Sequence, residues 1–430
     1  MSVAPDDELP PDATVAARLA TYLRGGGIIT PLITVFVAFL AGGLVVLITG
    51  HNPIETYRGI FNGTGLNWLF PWTSADDRTT AALALQQTLI QTTPLILTGL
   101  AVAFAFRCGL FNIGGQGQLI IGSIFAVWIG SSFEGMNGFL HIVLAILGGI
   151  VASIIVGSHF AGLSQPIHLT LAVVAAALAG AVWGGIAGAM KAAVGAHEVI
   201  STIMLNWIAI YGAQYLFELN GPLQGPLRDV PQSSEVADSA KLPAIWGVLQ
   251  PLHAGIFLAL AALVVYHILI NRTVFGYEVR AVGHNSEAAR YGGIGVSRSY
   301  IATLAIGGAF AGLAGSCDVL GWEFHIVTND IAVSQIGFIG IAVALLGRNE
   351  AVGIAFAALL FGGLQVGTSP RALDPTIFPP QLAGNLAIII QGLIILFVGA
   401  QLLLVYAWRA RRGRRAEAPP TTTLIEPTGA

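Results

Sequence analysis

Eleven apolar runs of about 20 residues dominate this sequence and determine the environment in which it can fold. A helix needs roughly 20 apolar residues to cross the hydrocarbon core of a bilayer. The runs occupy residues 29–50, 82–106, 109–131, 139–157, 169–190, 199–217, 254–270, 299–320, 331–347, 351–368 and 382–407. Only 10% of the 430 residues are charged, against about 25% in a soluble domain. The sequence therefore predicts an all-α bundle of membrane-spanning helices surrounded by lipid.

The arginines and lysines orient this bundle. Segments rich in Arg and Lys beside spans face the cytoplasm, and such segments are the loop 271–298 and the basic tail 408–430. Arg18 and Arg24 place the N-terminal tail, 1–28, on the same side. Fourteen of the 19 Lys and Arg residues then lie on the predicted cytoplasmic side. We therefore expect a multi-pass protein of the cell membrane with both termini in the cytoplasm.

The number of crossings follows from this orientation. Two ends on one side require an even number of spans, and eleven is odd. The run 139–157 follows a short Gly-rich link, and we predict that it re-enters or lies on the surface instead of crossing. About ten spans then make up a membrane domain over 29–407. Small residues at helix interfaces let membrane helices approach closely, and glycines recur at four-residue spacing at Gly180, Gly184 and Gly188 and at Gly308 and Gly312.

Polar residues interrupt the apolar pattern between Arg107 and Gln118, where four glycines and three amides occur. A break in a helix at membrane depth is tolerated only where protein or a water-filled cavity satisfies the freed backbone groups. Transporters place broken helices at their binding sites. We predict that Asn112, Gln116 and Gln118 face a pathway for a neutral solute that carries hydroxyl groups or a base. The alternative is a cytoplasmic turn between two spans.

A second polar cluster, Ser334 to Gly340, stands at the head of a later span and adds Gln335 and Phe338 to the predicted pathway. Residues 117–127 and 337–347 place their glycines alike, which suggests two related halves. Asn206, inside the run 199–217, completes the predicted pathway set; its alternative role is an interhelical hydrogen bond.

The loop 271–298 contains a predicted short helix at 285–291. Asn285 or Ser286 can cap its start, Glu287 lies in its first turn, and Gly292 stops it. A short helix on the cytoplasmic face suits docking to another protein, and a solvated connector is the alternative. The predicted contact residues are Glu287, Ala288, Arg290 and Tyr291.

The sequence lacks the residues that several kinds of functional site require. Neither Lys191 nor Lys241, the only lysines, lies in a phosphate-binding G-x-x-x-x-G-K-[ST] motif. Ionisable residues within spans are few, with Asp318 the clearest, whereas ion-coupled carriers and proton relays usually need them. Cys108 and Cys317 offer no metal-ligand spacing. An ion-coupled carrier and, more remotely, a membrane-embedded enzyme stay as alternatives from other classes.

Four segments carry a resemblance to a known family. GLFNIGGQGQLIIG, AHEVISTIMLNWIA, GYEVRAVGHNSEAARYGGIGV and GIAVALLGRNEAVGIAFAALLFGGL resemble the permease subunits of ABC importers. The chain is most similar to the nucleoside and simple-sugar branch, which is related to the ribose and branched-chain amino acid permeases. The likeness covers roughly residues 82–400. The family's first motif usually has Glu where this chain has Gln116.

The resemblance implies a transport subunit without its own ATPase site. It would form the translocation pathway for nucleosides, with a simple-sugar importer as the runner-up. It implies a cytoplasmic ABC ATPase that uses ATP, a second permease subunit (a paralogue or a second copy) and an extracytoplasmic substrate-binding lipoprotein. No cofactor or metal bound by this chain is expected, and no nucleic acid.

Overall fold

A computed structural model describes residues 29–71, 73–131, 165–246, 252–369, 372–373, 378–379 and 382–398. The predicted tails, 1–28 and 408–430, and the run 139–157 lie outside these residues. The described chain is mostly helical with very little strand, which confirms the all-α membrane bundle. Its helices are α1 Ile29–Ile48, α2 Pro53–Gly63, α3 Ala75–Arg107, α4 Gly115–Ser131, α5 Gln165–Val194, α6 Glu198–Phe217, α7 Gly255–Arg272, α8 Val274–His284, α9 Ser286–Tyr291, α10 Val296–Asp318, α11 Thr328–Val333, α12 Ile336–Leu346, α13 Ala351–Gly367 and α14 Leu382–Val398.

The predicted spans are all present where the structure describes the chain. Seven helical stretches are long and apolar enough to cross a membrane, and three shorter helices are also apolar. Together they match the ten predicted runs other than 139–157. A short antiparallel pair of strands, β1 Ala244–Trp246 and β2 Leu252–His253, lies in the loop before α7.

The structure corrects several boundaries. The run 331–347 is not one helix, because α11 ends and α12 begins on either side of Ser334 and Gln335. The run 109–131 becomes helical only at Gly115. The loop 271–298 holds a second helix, α8, which the sequence analysis missed; Thr273 caps its start by accepting a hydrogen bond from the Gly276 N–H. Hydrophobicity averaged over a run does not detect such interruptions or caps.

The close approach of α5 and α10 confirms the predicted role of the glycine spacing. The two helices run antiparallel, with Gly180 against Gly308, Gly184 against Leu304, and Gly188 against Ile301. A Cβ atom on Gly180 would lie 2.2 Å from the Gly308 carbonyl oxygen. Because backbone meets backbone here, no side chain can move aside to make room.

Helix α3 forms the centre of the bundle. Residues 95–105 lie in its apolar core, and the side chains of Leu97, Leu100 and Phe104 are completely buried. Helices α10, α12 and α13 all pack against it. Thr98 meets Gly340 of α12, and Gly99 meets Val343, so α12 runs parallel to the last turns of α3.

The segment after α10 continues as a π-helix, Val319–Glu323, and the loop 218–246 covers it. Ser233 exchanges hydrogen bonds with Ile326, and the Val236 N–H donates to the Phe324 carbonyl at 2.8 Å. Lys241 pairs with Asp238 at 2.9 Å and lies 4.8 Å from the centre of the Phe324 ring. The hydrogen bond between them raises the pKa of Lys241 and lowers the pKa of Asp238.

Burial lowers the pKa of His253 to about 4, so its ring is neutral at pH 7.

The α5–α10 contact predicts a stability difference between two glycines of one helix. We expect Gly180→Ala to lower the thermal midpoint of the purified protein, because overpacking a tight contact costs about 1–3 kcal/mol. Gly185→Ala is the matched control: its new methyl would lie 3.7 Å from the nearest side chain, Ala305. Equal thermal midpoints for the two variants in the same detergent would contradict a close helix contact at Gly180.

Candidate functional site

The chain leaves helical geometry between α3 and α4. Helix α3 ends at Arg107, Gly109 takes a left-handed conformation with φ +73°, and helix α4 begins only at Gly115. The backbone groups of this break cannot make the hydrogen bonds of a continuous helix. In a membrane they need partners from the protein.

Four buried amides, Asn112, Gln116, Gln118 and Asn206, supply these partners and are called here the amide cluster. Asn112 Nδ2 donates to Gln118 Oε1 at 3.1 Å, and Gln118 Nε2 donates back to Asn112 Oδ1 at 3.2 Å. Asn112 Oδ1 also accepts the Gly114 N–H at 3.0 Å. The two side chains therefore hold each other and the last residue of the break.

Asn206 of α6 fixes the other side of the break. Its Oδ1 accepts the Gly117 N–H at 2.8 Å, and its Nδ2 donates to the Ile113 carbonyl at 2.9 Å. In this conformation Asn206 makes the interhelical hydrogen bonds that the alternative interpretation of the sequence predicted. One side chain thus spans the junction between the break and the first turn of α4.

Gln116 connects the break to the second interrupted region. Its Oε1 accepts the Gly337 N–H at 2.8 Å, and a Cβ atom on Gly337 would lie 2.3 Å from the Gln116 nitrogen. The N-termini of α4 and α12 therefore meet. From this point α12 descends toward Arg107, while α4 leaves in the opposite direction along α10, where Gly122 contacts Gly312. The two segments with similar glycine placement face each other here.

The amide cluster lies near the middle of the bundle. A Cβ atom on Gly307 would lie 3.5 Å from Asn112 Nδ2, and Gly307 is the twelfth of the 23 residues of α10. At 1.5 Å per residue, this position is about 16 Å from either end of the helix. A hydrocarbon core is about 30 Å thick, so the cluster lies at midmembrane depth. This depth argues against the alternative of a cytoplasmic turn for Asn112.

The six residues predicted to line a pathway fall into two groups. The side chains of the amide cluster are at most 2% exposed. Gln335 and Phe338 are exposed, Phe338 to 39%, at the start of α12. Among the described residues Gln116 Nε2 has no hydrogen-bond partner, although it is buried. The amides are therefore occupied with each other and with backbone, apart from this one donor.

A small cavity lies along α4 beyond the amide cluster, and none of the four amides lines it. Its volume is about 40 Å³, which is room for roughly three water molecules and too little for a sugar or a nucleoside. The lining includes Ser123 of α4, Ser334 and three carboxyl groups, Asp318, Glu323 and Asp330. Of these three carboxyl groups only Asp318 was predicted from the sequence to lie within a span, because Glu323 and Asp330 lie at the edges of apolar runs. No described group of three His, Cys, Asp or Glu residues is arranged to hold a metal ion.

The loop 271–298 touches the break directly. A Cβ atom on Gly283, near the end of α8, would lie 2.3 Å from the Arg107 carbonyl oxygen, and Gly109 packs against Gly283 from the other side. Arg107 itself bonds to the Asn349 carbonyl at 2.9 Å and forms an ion pair with Glu350, in the turn between α12 and α13. The end of α3 is thus held between α8 and the turn that joins α12 to α13.

The predicted short helix in this loop is confirmed as α9, Ser286–Tyr291. Asn285 is its N-cap, with Oδ1 accepting the Ala288 N–H at 3.0 Å, and Gly292 is its C-cap. Glu287 and Arg290 approach to 3.8 Å, and both side chains are about two-thirds exposed. Tyr291 is 92% exposed. A large aromatic ring beside two exposed charges is suited to contact with another protein.

Comparison with known proteins places this architecture in a family. The family model described as "Branched-chain amino acid transport system / permease component" matches residues 84–165 and 159–399. A guanosine ABC transporter permease protein of Bacillus subtilis is 36% identical over 87% of this chain and 93% of its own. A nucleoside ABC transporter permease protein of Lactococcus lactis is 31% identical over 88% and 92%. A glucose ABC transporter permease protein of Haloferax volcanii is 32% identical over 91% and 90%.

Bacillus subtilis and Lactococcus lactis each also have a second, more distant match among guanosine and nucleoside ABC transporter permease proteins, at 26% and 25% identity. No solved structure matches the chain. The family model covers nearly the whole bundle, including the break, α9 and α12, and the similar permeases align over most of their own length. The chain therefore belongs to the family of branched-chain amino acid transport system permease components.

Proposed function

We propose that this chain is the permease subunit of an ABC importer and forms the translocation pathway for nucleosides. The observation that carries the proposal is its similarity, over most of both chains, to permeases named for guanosine and for nucleosides. A simple-sugar importer is the second candidate, because the similar Haloferax permease is named for glucose. The uncharged amide cluster suits either neutral solute.

Uptake by cells tests this assignment. With the permease expressed beside its ATPase and binding protein, we expect guanosine to accumulate and an excess of D-glucose to compete poorly. Collapse of the ion gradients at constant ATP should leave uptake intact, whereas loss of ATP should stop it. Accumulation that follows the ion gradient would indicate a secondary carrier, and accumulation of glucose alone would favour the sugar importer.

The amide cluster acts in this proposal as the closed gate of the pathway. Its members are bonded to each other and to backbone groups, and the small cavity beside α4 has no room for a solute. Opening would separate α4 from α12, which breaks the Gln116–Gly337 bond, and would part Asn112 from Gln118. The freed amides could then bond to ribose hydroxyls or a base. Gln335 and Phe338 would then line the same passage, with the Phe338 ring offering an apolar face.

Substitution of the paired amides tests the gate. Asn112→Ala or Gln118→Ala leaves the other amide buried without its partner, which costs about 1–3 kcal/mol. We expect uptake per assembled complex to fall at least fivefold, with the ATPase still bound. Ser316→Ala, which removes a buried hydroxyl bonded within α10, is the control. Normal uptake with a lowered thermal midpoint in both variants would mean that the amides only hold the fold.

The ATPase would act on the loop 271–298 in the cytoplasm, with both termini on the same side. Movement of α9 would reach the break through a short path, because α8 carries Gly283 against Arg107 and Gly109. The exposed Glu287, Ala288, Arg290 and Tyr291 would contact the ATPase. The second permease subunit would be a paralogue, as in the two organisms with paired relatives, and a lipoprotein would deliver the solute from outside.

Removal of the exposed charges on α9 tests this contact. The Glu287–Arg290 pair lies in water, where such pairs contribute about 0–1 kcal/mol, so replacing both residues with Ala should leave the fold intact. We expect the ATPase to dissociate or to stop responding to the loaded binding protein. Replacing Glu235 and Lys241, a pair in the loop 218–246, serves as the control. Full transport with tight ATPase association in the α9 variant would reduce the loop to a solvated connector.

A further inference from the structure

A second, much larger cavity lies away from the amide cluster. Its volume is about 620 Å³, within the range of about 300–1,000 Å³ typical of ligand pockets. It opens between α2, α3, α13 and the π-helix Val319–Glu323, and is called here the outer groove. The polar and aromatic lining residues used below are Asn62, Thr80, Gln87, Gln91, Trp322 and Gln365.

The position of the outer groove along α3 fixes the side of the bundle to which it opens. Gln91 precedes Arg107 by 16 residues and Gln87 precedes it by 20, so they lie about 24 and 30 Å from the Arg107 end of the helix. Gln365 is near the far end of α13, which begins beside the Arg107–Glu350 pair. The groove therefore lies at the end of the bundle opposite the loop 271–298.

The amides of the groove differ from those of the gate in having no partners. Gln87, Gln91 and Gln365 are all half-buried and make no hydrogen bond to another described residue. Gln87 Oε1 is shielded from water as well. A polar side chain on a membrane helix is costly unless it is bonded. Glutamines that served as interhelical contacts would bond to each other or to backbone, and these do not. They are placed instead around an open space.

The chemistry of the lining limits what could fill this space. None of its described side chains is charged, which disfavours a phosphate, a carboxylate or a metal ion. Amides from three helices offer donors and acceptors, and the half-buried Trp322 offers a flat apolar face. A lipid chain would leave the amides without partners. Trp322 also lies on a π-helix, a rare conformation that is frequent at functional sites.

We infer that the outer groove is a binding site for a neutral, hydroxyl-bearing solute with a planar face, a nucleoside, on the side where the solute arrives. Gln87 and Gln91 of α3 and Gln365 of α13 would bond to its polar edges from two sides, and Trp322 would cover one face. This inference rests on the proposed function, since it names a site for the same solute before the gate.

Matched substitutions in α3 and α13 test the outer groove. Gln87→Met and Gln365→Met keep the length of the side chain and remove its amide; Gln86→Met is the control. Gln86 is the neighbouring residue, is only 2% exposed and has an unpartnered Oε1, but does not line the groove. Guanosine binding to the assembled transporter in nanodiscs should weaken about five- to tenfold with each groove variant, as expected for one lost hydrogen bond, and stay unchanged in the control. Equal affinities in all three would overturn the site.

Thiol labelling gives a second measurement that does not depend on these variants. The native Cys108 and Cys317 are both buried, so a Thr80→Cys variant places one reactive thiol at the rim of the groove, where Thr80 is exposed. Guanosine should slow its labelling and leave an Ala237→Cys variant, in the loop 218–246, unaffected. A thiol at position 80 that never reacts in the assembled complex would mean that another subunit covers the groove, and would overturn the inference.

The outcomes separate this inference from the proposed function. If the wild type accumulates guanosine but neither labelling nor the Met variants respond to it, the groove is not a solute site and the proposed function stands. If D-glucose protects the thiol and guanosine does not, the nucleoside assignment of the groove is overturned in favour of a sugar. If the wild type accumulates neither solute, the proposed function fails. If guanosine then binds to the transporter but does not slow labelling of the thiol at position 80, the inference about the outer groove is overturned as well.

Discussion

The fold depends on how one interruption of a membrane helix is satisfied. Between α3 and α4 the backbone gives up helical hydrogen bonds at a depth where water cannot replace them. Asn112, Gln118 and Asn206 supply the missing partners, and Gln116 carries the arrangement across to the start of α12. The positive ends of two helix dipoles meet at this point. An amide oxygen bears only partial charge. It can therefore accept hydrogen bonds from the N–H groups that lack helical partners there, without placing an ion in the interior.

In the proposed function, the same interruption lets the loop 271–298 act on the centre of the bundle. A continuous helix would carry a push at Arg107 along its axis, whereas residues 108–114 are held by side-chain hydrogen bonds, through Gln118 to α4 and through Asn206 to α6. Gly283 contacts the backbone at the start of this segment, and the turn after α12 holds the Arg107 side chain. The break and α12, which both reach the amide cluster, are therefore both attached at the Arg107 end of the bundle. A contact between glycine backbones transmits displacement directly, because no flexible side chain lies between them.

Much of the fold follows from the sequence because membrane helices require long apolar runs, and these runs are visible without tertiary information. The α9 helix was also predictable, since Asn285 and Gly292 are local signals for its two ends. The break at Ser334 and Gln335 was not predictable, because its polar residues fit equally well at the start of a membrane-spanning helix. The pairing of Asn112 with Gln118 and of Gln116 with Gly337 depends on which helices meet. The glutamines of the outer groove, Gln87, Gln91 and Gln365, could not be predicted as site residues, since the sequence around an amide in an apolar run does not show whether that amide is bonded.

The uncharged character of the gate has an energetic consequence for how a solute could open it. Separating Asn112 from Gln118 exchanges two neutral hydrogen bonds for bonds to solute or water, and each such bond is worth about 0.5–1.5 kcal/mol net. Breaking a buried ion pair would cost about 3–5 kcal/mol when one charge is left alone. A ligand shifts an equilibrium only by the difference in its affinity for the two states. A neutral solute with several hydroxyl and amide groups can match the small cost of the amide gate, and in the proposed function the remaining free energy comes from the ATPase through α9 and Gly283.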